Sequence, residues 1–385
     1  MEQKGAPPGL APGYRAAERV IQLKKLLSAV SWAGIEQSMR SAISSEWTFS
    51  DHWGQLRSRV SGFRMRYTVE PGIYALNSPG EDSPVIATAN YKLSFDKVRR
   101  ALTGKSAWIL VLNTHGINVW CAAGKGRFGT FELMKRIREA ELEKLVRHRK
   151  VIVPQLGAPG VVAHRVQKET GFRVFYGPVR AADLPLYIDN GMTASREMRL
   201  IQFPMFERLV LIPMEWVPGF RKTILPATAL SALSGLLFGW SVARDVFFLF
   251  QLMLIAGAVG VPALLPWIPG RAFAFKGWIL GMFACLVYPG LVPPGLFENT
   301  WIAAAAFVFF PLLSSFVALE FTGATPITGM SAVKREMRFA VPIYRAALYI
   351  SVTLFMIAAA AELPARMVAK AGAAVHGGEA RQVTR

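Results

Sequence analysis

The sequence predicts an α/β domain followed by an all-α membrane domain, and three observations carry that expectation. Short apolar runs alternate with amphipathic ones between about Ser83 and Met214; five long apolar runs follow in series; and Lys and Arg collect in particular connecting segments. The chain has 385 residues and a formal net charge of +19. In a soluble protein such a charge would point to nucleic acid, but next to membrane spans it matches positive loops facing anionic lipid, so no nucleic-acid partner is expected.

Residues 1–45 hold no apolar signal core. The stretch YRAAERVIQLKKLLSAVSW reads instead as an amphipathic helix before a linker, and no cleaved secretion signal is expected. Residues 46–222 form the α/β domain. VIATANY (Val85 to Tyr91) reads as a strand, SFDKVRRALTG as a helix opened by Ser94, and AWILVLNT (Ala107 to Thr114) as a buried strand. One long helix is expected over FGTFELMKRIREAELEKLVRHRK, then a strand VIVPQ, a helix GVVAHRVQKET, a strand FRVFYGP and a last strand RLVLIPM. Such alternation implies a parallel sheet covered by helices. Ligands then bind at the carboxyl ends of the strands, here Asn90, Asn113 to Asn118 with Thr114 among them, Gln155 and Gly177.

Residues 223–362 form the membrane domain, with spans at about 224–243, 246–267, 277–293, 301–319 and 339–360. Each approaches the ~20 residues that cross a bilayer as a helix. Pro262 and Pro289 fall inside two of them as kinks. Arg271, Lys276, Lys334, Arg335 and Arg338 share the side of the basic α/β domain, which places that domain in the cytoplasm under an inner membrane. The polar tail, residues 363–385, argues the other way for its own side. FTGATPITGMSAVKREMR, before the last span, reads equally as a docking segment or as a loop with an interfacial helix.

There are two cysteines, Cys121 and Cys285, and no CxxC pair. Neither a disulfide framework nor an iron-sulfur cluster of the chain's own is expected. Cys121 lies in GINVWCAAGKGRFG, Gly116 to Gly129. A P-loop needs glycine where Val119 stands, and Gly126 follows Lys125 in place of Ser or Thr. Gly124, Gly126 and Gly129 fit GxGxxG, yet the turn does not leave the strand directly. The Asp-x-His-x-x-Gly signature of histidine-ligated cobalamin proteins keeps only His115. Asn118 as N-cap and Gly124 as C-cap predict one short helix, Val119 to Ala123, with Cys121 on its inner face. The helix start and Lys125 favour a thiolate there, but a free cysteine is also commonly a small buried hydrophobe. The residues alone leave both readings open.

NVWCAAGK (Asn118, Val119, Trp120, Cys121, Ala122, Ala123, Gly124, Lys125) resembles the cap-helix signature of the mercury-methylating corrinoid proteins. ANYKLSFD, GKGRFGTFEL, VPQLGAPGVVAH and YGPVRAADLP extend the resemblance, which covers most of the chain from Trp47 to Arg338. Corrinoid iron-sulfur proteins of the acetyl-CoA pathway share much of GINVWCAAGKG but carry a four-cysteine cluster site that this chain lacks.

The resemblance implies a Rossmann-like corrinoid-binding domain with cobalamin in the crevice and Cys121 as lower axial ligand of cobalt. Asn90, Thr114, Gln155 and Gly177 would line the site with residues 118–125. Trp120 and Lys125 could equally be scaffold. The implied activity is a methyltransferase: cobalt takes a methyl group from a methyl-folate-type donor or its methyltransferase, and methyl-Co(III) passes it to Hg(II). The implied reductant is a ferredoxin-like partner with two [4Fe-4S] clusters. A membrane-anchored methyl carrier with a non-mercury acceptor is the alternative.

Overall fold

A computed structural model describes residues 42–323, 325 and 330–383, with side chains to Glu362. The expected amino-terminal amphipathic helix, part of the 321–338 segment and the side chains of the polar tail lie outside the described residues. The chain divides into two compact units, Met1–Trp53 with Met65–Leu200, and Gly54–Arg64 with Ile201–Arg385.

The first unit is built on a six-stranded mixed sheet, in the order β1(Ala42–Ile43), β2(Gly72–Leu76), β4(Ala107–Leu112), β3(Val85–Ala89), β5(Lys150–Val153), β6(Arg173–Tyr176). The four strands from β4 to β6 are parallel, as the alternation requires. The expectation of a wholly parallel sheet is corrected by β2, which runs antiparallel to β4 with Gly72 opposite Val111.

β3 and β4 are buried at every position. Their alternating side chains feed two separate cores, which is why these runs read as continuous apolar stretches. Val85, Ala87, Leu110 and Leu112 pack with Leu133, Met134 and Ile137. Ile86, Ile109 and Val111 pack on the opposite face with Phe95, Val98 and Leu184.

α1(Phe49–Val60) spans the division between the two units at Trp53 and Gly54. The helices covering the sheet are α2(Lys92–Ala101), α3(Val119–Gly124), α4(Thr130–Glu139), α5(Ala163–Thr170) and α6(Leu184–Asp189). Ser94 does not open α2. Tyr91 stands at the N-cap and Ser94 lies inside the first turn. The single long helix expected after the GINVWCAAGKGRFG stretch ends at Glu139, because Glu141 takes a left-handed conformation at φ 43°.

A buried ionic cluster fixes the chain before β2 onto α2. Asp51 Oδ1 accepts from Lys92 Nζ at 2.8 Å and Asp51 Oδ2 lies 2.6 Å from an Arg99 terminal nitrogen. Asp96 Oδ1 accepts from Lys92 and from Arg99 Nε at 2.8 Å, and Arg99 also donates to the carbonyls of Ser44 and Glu46. Burial raises the Asp51 carboxyl, but the hydrogen bonds from Lys92, Arg99 and the Thr48 N–H outweigh it and hold the group well below the ordinary carboxylate range. A depressed carboxylate contributes stability that is complete above its unfolded value, about 4, and is lost as pH falls below it. We therefore expect the unfolding midpoint of the full chain to fall steeply below pH ~4, and Asp51→Asn to flatten that slope while costing about 3 kcal/mol at neutral pH. Chemical denaturation across a pH series checks both.

The second unit is helical. α7(Ile212–Phe238) and α8(Trp240–Ile255) meet at Gly239, α8 widens into a π-helical turn at Ala256–Gly260 and continues to Leu264, and α9(Phe273–Val287), α10(Thr300–Thr322) and α11(Met330–Val383) follow. Among the described residues, four stretches are long and apolar enough to cross a membrane: Trp240–Leu264, Phe273–Gly290, Thr300–Thr322 and Ser331–Glu362. The first expected span, 224–243, straddles the break at Gly239, and the uncharged part of α7 between Lys222 and that break holds sixteen residues. Pro289 does not kink a helix, because it sits in the 3-10 turn Tyr288–Gly290 that ends α9.

RLVLIPM, expected as a last strand, is helical and belongs to this unit. It comprises the end of a short helix, Met205–Leu209, and the first turn of α7. Pro204 precedes the short helix and Pro213 falls at the first turn of α7, where the missing N–H costs nothing. Arg208 is buried and donates to the carbonyls of Pro262 and Ala263, 3.1 and 3.2 Å away. A helical turn carries that guanidinium to the end of the α8 continuation, whose last carbonyls have no helical partner.

Candidate functional site

β3 is the first parallel strand and lies between β4 and β5, so the chain leaves it in one direction for β4 and later fills the other side with β5 and β6. The carboxyl ends of β3 and β5 flank the point where the winding reverses, the usual position of a ligand crevice in such a sheet. At the end of β3 the Asn90 side chain is buried. Its Oδ1 accepts from the Thr114 N–H at 3.0 Å and from the Gly116 N–H at 3.0 Å, and lies 2.9 Å from the Thr114 hydroxyl. That hydroxyl is closer to the Ile117 carbonyl, at 2.6 Å, and has one proton to give. Asn90 Oδ1 and the Thr114 hydroxyl therefore shape the loop entering α3. The start of α4 fastens the same loop, because Glu132 Oε1 accepts from the Asn113 N–H at 2.8 Å and from Arg136 Nε at 2.7 Å.

α3 is capped at both ends. Asn118 Oδ1 accepts from the Cys121 N–H at 2.9 Å, the N-cap bond that the sequence predicts. The C-terminal expectation is corrected. Gly124 is the last helical residue, and the left-handed residue is Gly126, φ 71°. The Arg127 N–H reaches the Ala122 carbonyl at 2.8 Å and the Gly126 N–H the Ala123 carbonyl at 3.1 Å, the paired bonds of a Schellman motif.

Val119, Ala122 and Ala123 are the buried residues of α3 and join the apolar core. Cys121 is partly exposed. At 3.6 residues per turn it stands opposite the buried stripe, on the face turned away from the core rather than inward as expected. Gly124, one turn on, shares that face, and a methyl group added there would meet nothing within 4 Å. Trp120 is half-buried and Lys125 is exposed.

The turn after α3 locks onto the loop after β5. Phe128 is fully buried, and a Cβ on Gly157 would lie 2.5 Å from its ring. A Cβ on Gly160 would lie 2.1 Å from the Phe128 carbonyl oxygen and 3.3 Å from Ala123 Cα. Thr130 Oγ1 donates toward the Gly160 carbonyl at 3.3 Å and accepts from the Val162 N–H at 2.9 Å. The residues around the site missed by sequence reasoning are these: Phe128, Thr130, Gly157 and Gly160, with Glu132 and the left-handed Gly126. The glycine spacing in QLGAPG was the available signal, and its partner thirty residues earlier was not marked.

Two expected site residues point elsewhere. Gln155 Oε1 accepts from Arg199 at 2.8 Å, and a Cβ on Gly177 would lie 2.9 Å from Ile152 Cγ2 in the core opposite α3. His115 is exposed in a left-handed turn, and its N–H donates to Asn113 Oδ1 at 3.1 Å. A groove lined by Ala42, Asn77, Ser78 and Trp108 lies at the amino-terminal end of β4, at the opposite rim of the sheet from α3.

Residues 63–187 match the family model described as CO dehydrogenase/acetyl-CoA synthase delta subunit. Acetyl-CoA decarbonylase/synthase complex subunit gamma of Archaeoglobus fulgidus is 38% identical over 124 residues, covering 32% of this chain and 26% of that protein. Its counterparts are 35% identical in Methanocaldococcus jannaschii and 33% identical in Methanothermobacter thermautotrophicus, each over 129 residues, covering 33% of this chain and 26% and 28% of those proteins. The chain thus matches about a quarter of the length of these relatives. Residues 63–187, matched by the family model, contain α3 and both locking loops.

Proposed function

We propose that this chain is a membrane-anchored corrinoid methyltransferase that forms methylmercury from Hg(II). The observation that carries the reading is the setting of Cys121: a soft sulfur, partly exposed, on a short helix capped at both ends, beside the side-chain-free surface of Gly124. These residues fit a corrinoid, because Cys121 would offer it an accessible soft donor and Gly124 raises no side chain next to that donor. When bound, a corrinoid supplies a cobalt centre that accepts a methyl group and gives it up again. Cys121 would be the residue to hold that metal, its sulfur a soft electron donor of the kind thiolate is for haem iron. Asn118 fixes the backbone of Cys121, and the Asn90, Thr114 and Gly116 bonds fix the loop before it. Lys125, exposed at the end of α3, is placed to meet polar groups at the corrinoid rim.

The same reading takes residues 46–222 as the cytoplasmic corrinoid domain of Rossmann-like type and residues 223–362 as an inner-membrane anchor of five spans, with α7 supplying the fifth. A ferredoxin-like protein with two [4Fe-4S] clusters would be the reductant, and a methyl-folate-type compound or its methyltransferase the methyl source. Mercury as acceptor rests on the cap-helix resemblance together with the apolar helices. The acetyl-CoA synthase relatives favour a second reading, a methyl carrier whose acceptor is not mercury. Purified full-length chain, loaded with cobalamin and given reductant, methyl donor and Hg(II), separates the two. Methylmercury that depends on this chain supports the first; methylation of the cobalt with no methylmercury leaves the second.

A further inference from the structure

The outward face of α1 is apolar and its buried face polar, the reverse of a helix packed on a core. Phe49, Trp53 and Leu56, spaced i, i+4, i+7, are 84%, 55% and 51% exposed, while Gly54, Gln55 and Ser58 are the buried residues. Among the described residues Gln55 Nε2 and Ser58 Oγ have no hydrogen-bond partner, so packing of that face against them does not satisfy these two polar atoms. Met65, 68% exposed in the turn after α1, adds to the apolar surface. Between Asp51 and Glu70 there is no carboxylate, and Arg57, Arg59, Arg64 and Arg66 are all present. Arg57 and Arg66 are exposed, and the Arg57 guanidinium lies 4.5 Å over the Phe63 ring.

Gly54–Arg64 belongs to the same compact unit as the long apolar helices. Arg64 is within electrostatic reach of Glu215 in the first turn of α7. Trp216 and Phe220, both exposed and with ring centroids 6.1 Å apart, follow it and precede Arg221 and Lys222. Aromatic and basic residues flanking an apolar helix are typical of the interface where a chain enters a bilayer.

We propose that α1 lies in the plane of the membrane interface, with Phe49, Trp53 and Leu56 in the boundary between headgroups and acyl chains and the arginines on anionic phospholipid. An amphipathic helix with an aromatic apolar face and an excess of arginine binds such a surface in this way; the one carboxylate of α1, Asp51, is engaged by Lys92 and Arg99. The assignment rests on the reading of the second unit as membrane-embedded, and the test keeps the two apart.

Full-length chain is reconstituted in lipid nanodiscs containing phosphatidylglycerol, with a fluorescent amino acid replacing Trp53, Leu56 or, in a control chain, Phe283 of α9. Quenching by lipids brominated near the carbonyl end or at mid-chain is compared with quenching by aqueous iodide. The expected result is deepest quenching at mid-chain for position 283 and near the carbonyl end for positions 53 and 56, with little iodide access. Shallow quenching at position 53 should weaken when phosphatidylcholine replaces phosphatidylglycerol, and in Arg57→Glu/Arg66→Glu. Lipid quenching at position 283 without it at 53 and 56 overturns the proposal alone, whether those positions are open to iodide or shielded by protein. No lipid quenching at position 283 removes the membrane reading and the proposal with it.

Discussion

Cys121→Ala is expected to abolish corrinoid-dependent methyl transfer while leaving the chain folded. The side chain is partly exposed and its thiol makes no hydrogen bond among the described residues, so truncation should change stability by less than about 0.5 kcal/mol. Cys285→Ala is the reciprocal case. Cys285 is fully buried among Leu249, Met253 and Phe310, so its removal leaves a small void and should cost about 1 kcal/mol with transfer intact. Denaturation midpoints and methylmercury formation, measured on both variants, check the pair. If Cys121 were a structural residue the pattern would reverse, with stability lost and transfer retained.

The second large effect is expected at Gly160. A methyl group there meets the Phe128 carbonyl at 2.1 Å, and a backbone atom cannot give way as a flexible side chain can. Gly160→Ala should cost about 3 kcal/mol, read as a lower denaturant midpoint with an unchanged slope. Because the displaced turn carries the C-cap of α3, corrinoid retention should fall with it. Gly124→Ala provides the contrast. The position is helical with open space beside it, so stability should rise by about 0.5 kcal/mol. The added methyl rises beside Cys121 on the surface assigned to the macrocycle, so corrinoid binding should weaken all the same. A variant that gains stability and loses the cofactor cannot be explained by misfolding.

The four parallel strands were legible because AWILVL, VIATA, KVIV and RVFY are short and rich in β-branched or aromatic residues, with polar or turn residues at their ends. RLVLIPM has the same composition and is helical. A short apolar run does not specify its own period, and there the burial of Arg208 against the end of the α8 continuation decides it. β2 went unmarked because GIYAL precedes the alternation that begins near Ser83, and its place is set by pairing with β4 on one side and β1 on the other.

At the site, the reach of α3 and its Asn118 cap follow from local spacing, whereas the choice between Gly124 and Gly126 as cap depends on which one turns left-handed. The outward direction of Cys121 follows from Val119, Ala122 and Ala123 taking the core. The lock between Phe128 and Gly157 to Gly160 joins loops about thirty residues apart, and nothing periodic in the sequence encodes such a contact.

X-ray absorption at the cobalt edge of the cobalamin-loaded, full-length protein tests most directly the proposal that Cys121 holds the cobalt. A sulfur scatterer bound to cobalt in the wild type and in Cys285→Ala, replaced by nitrogen or oxygen alone in Cys121→Ala, is the predicted result. A cobalt shell of only nitrogen and oxygen in the wild type would contradict it.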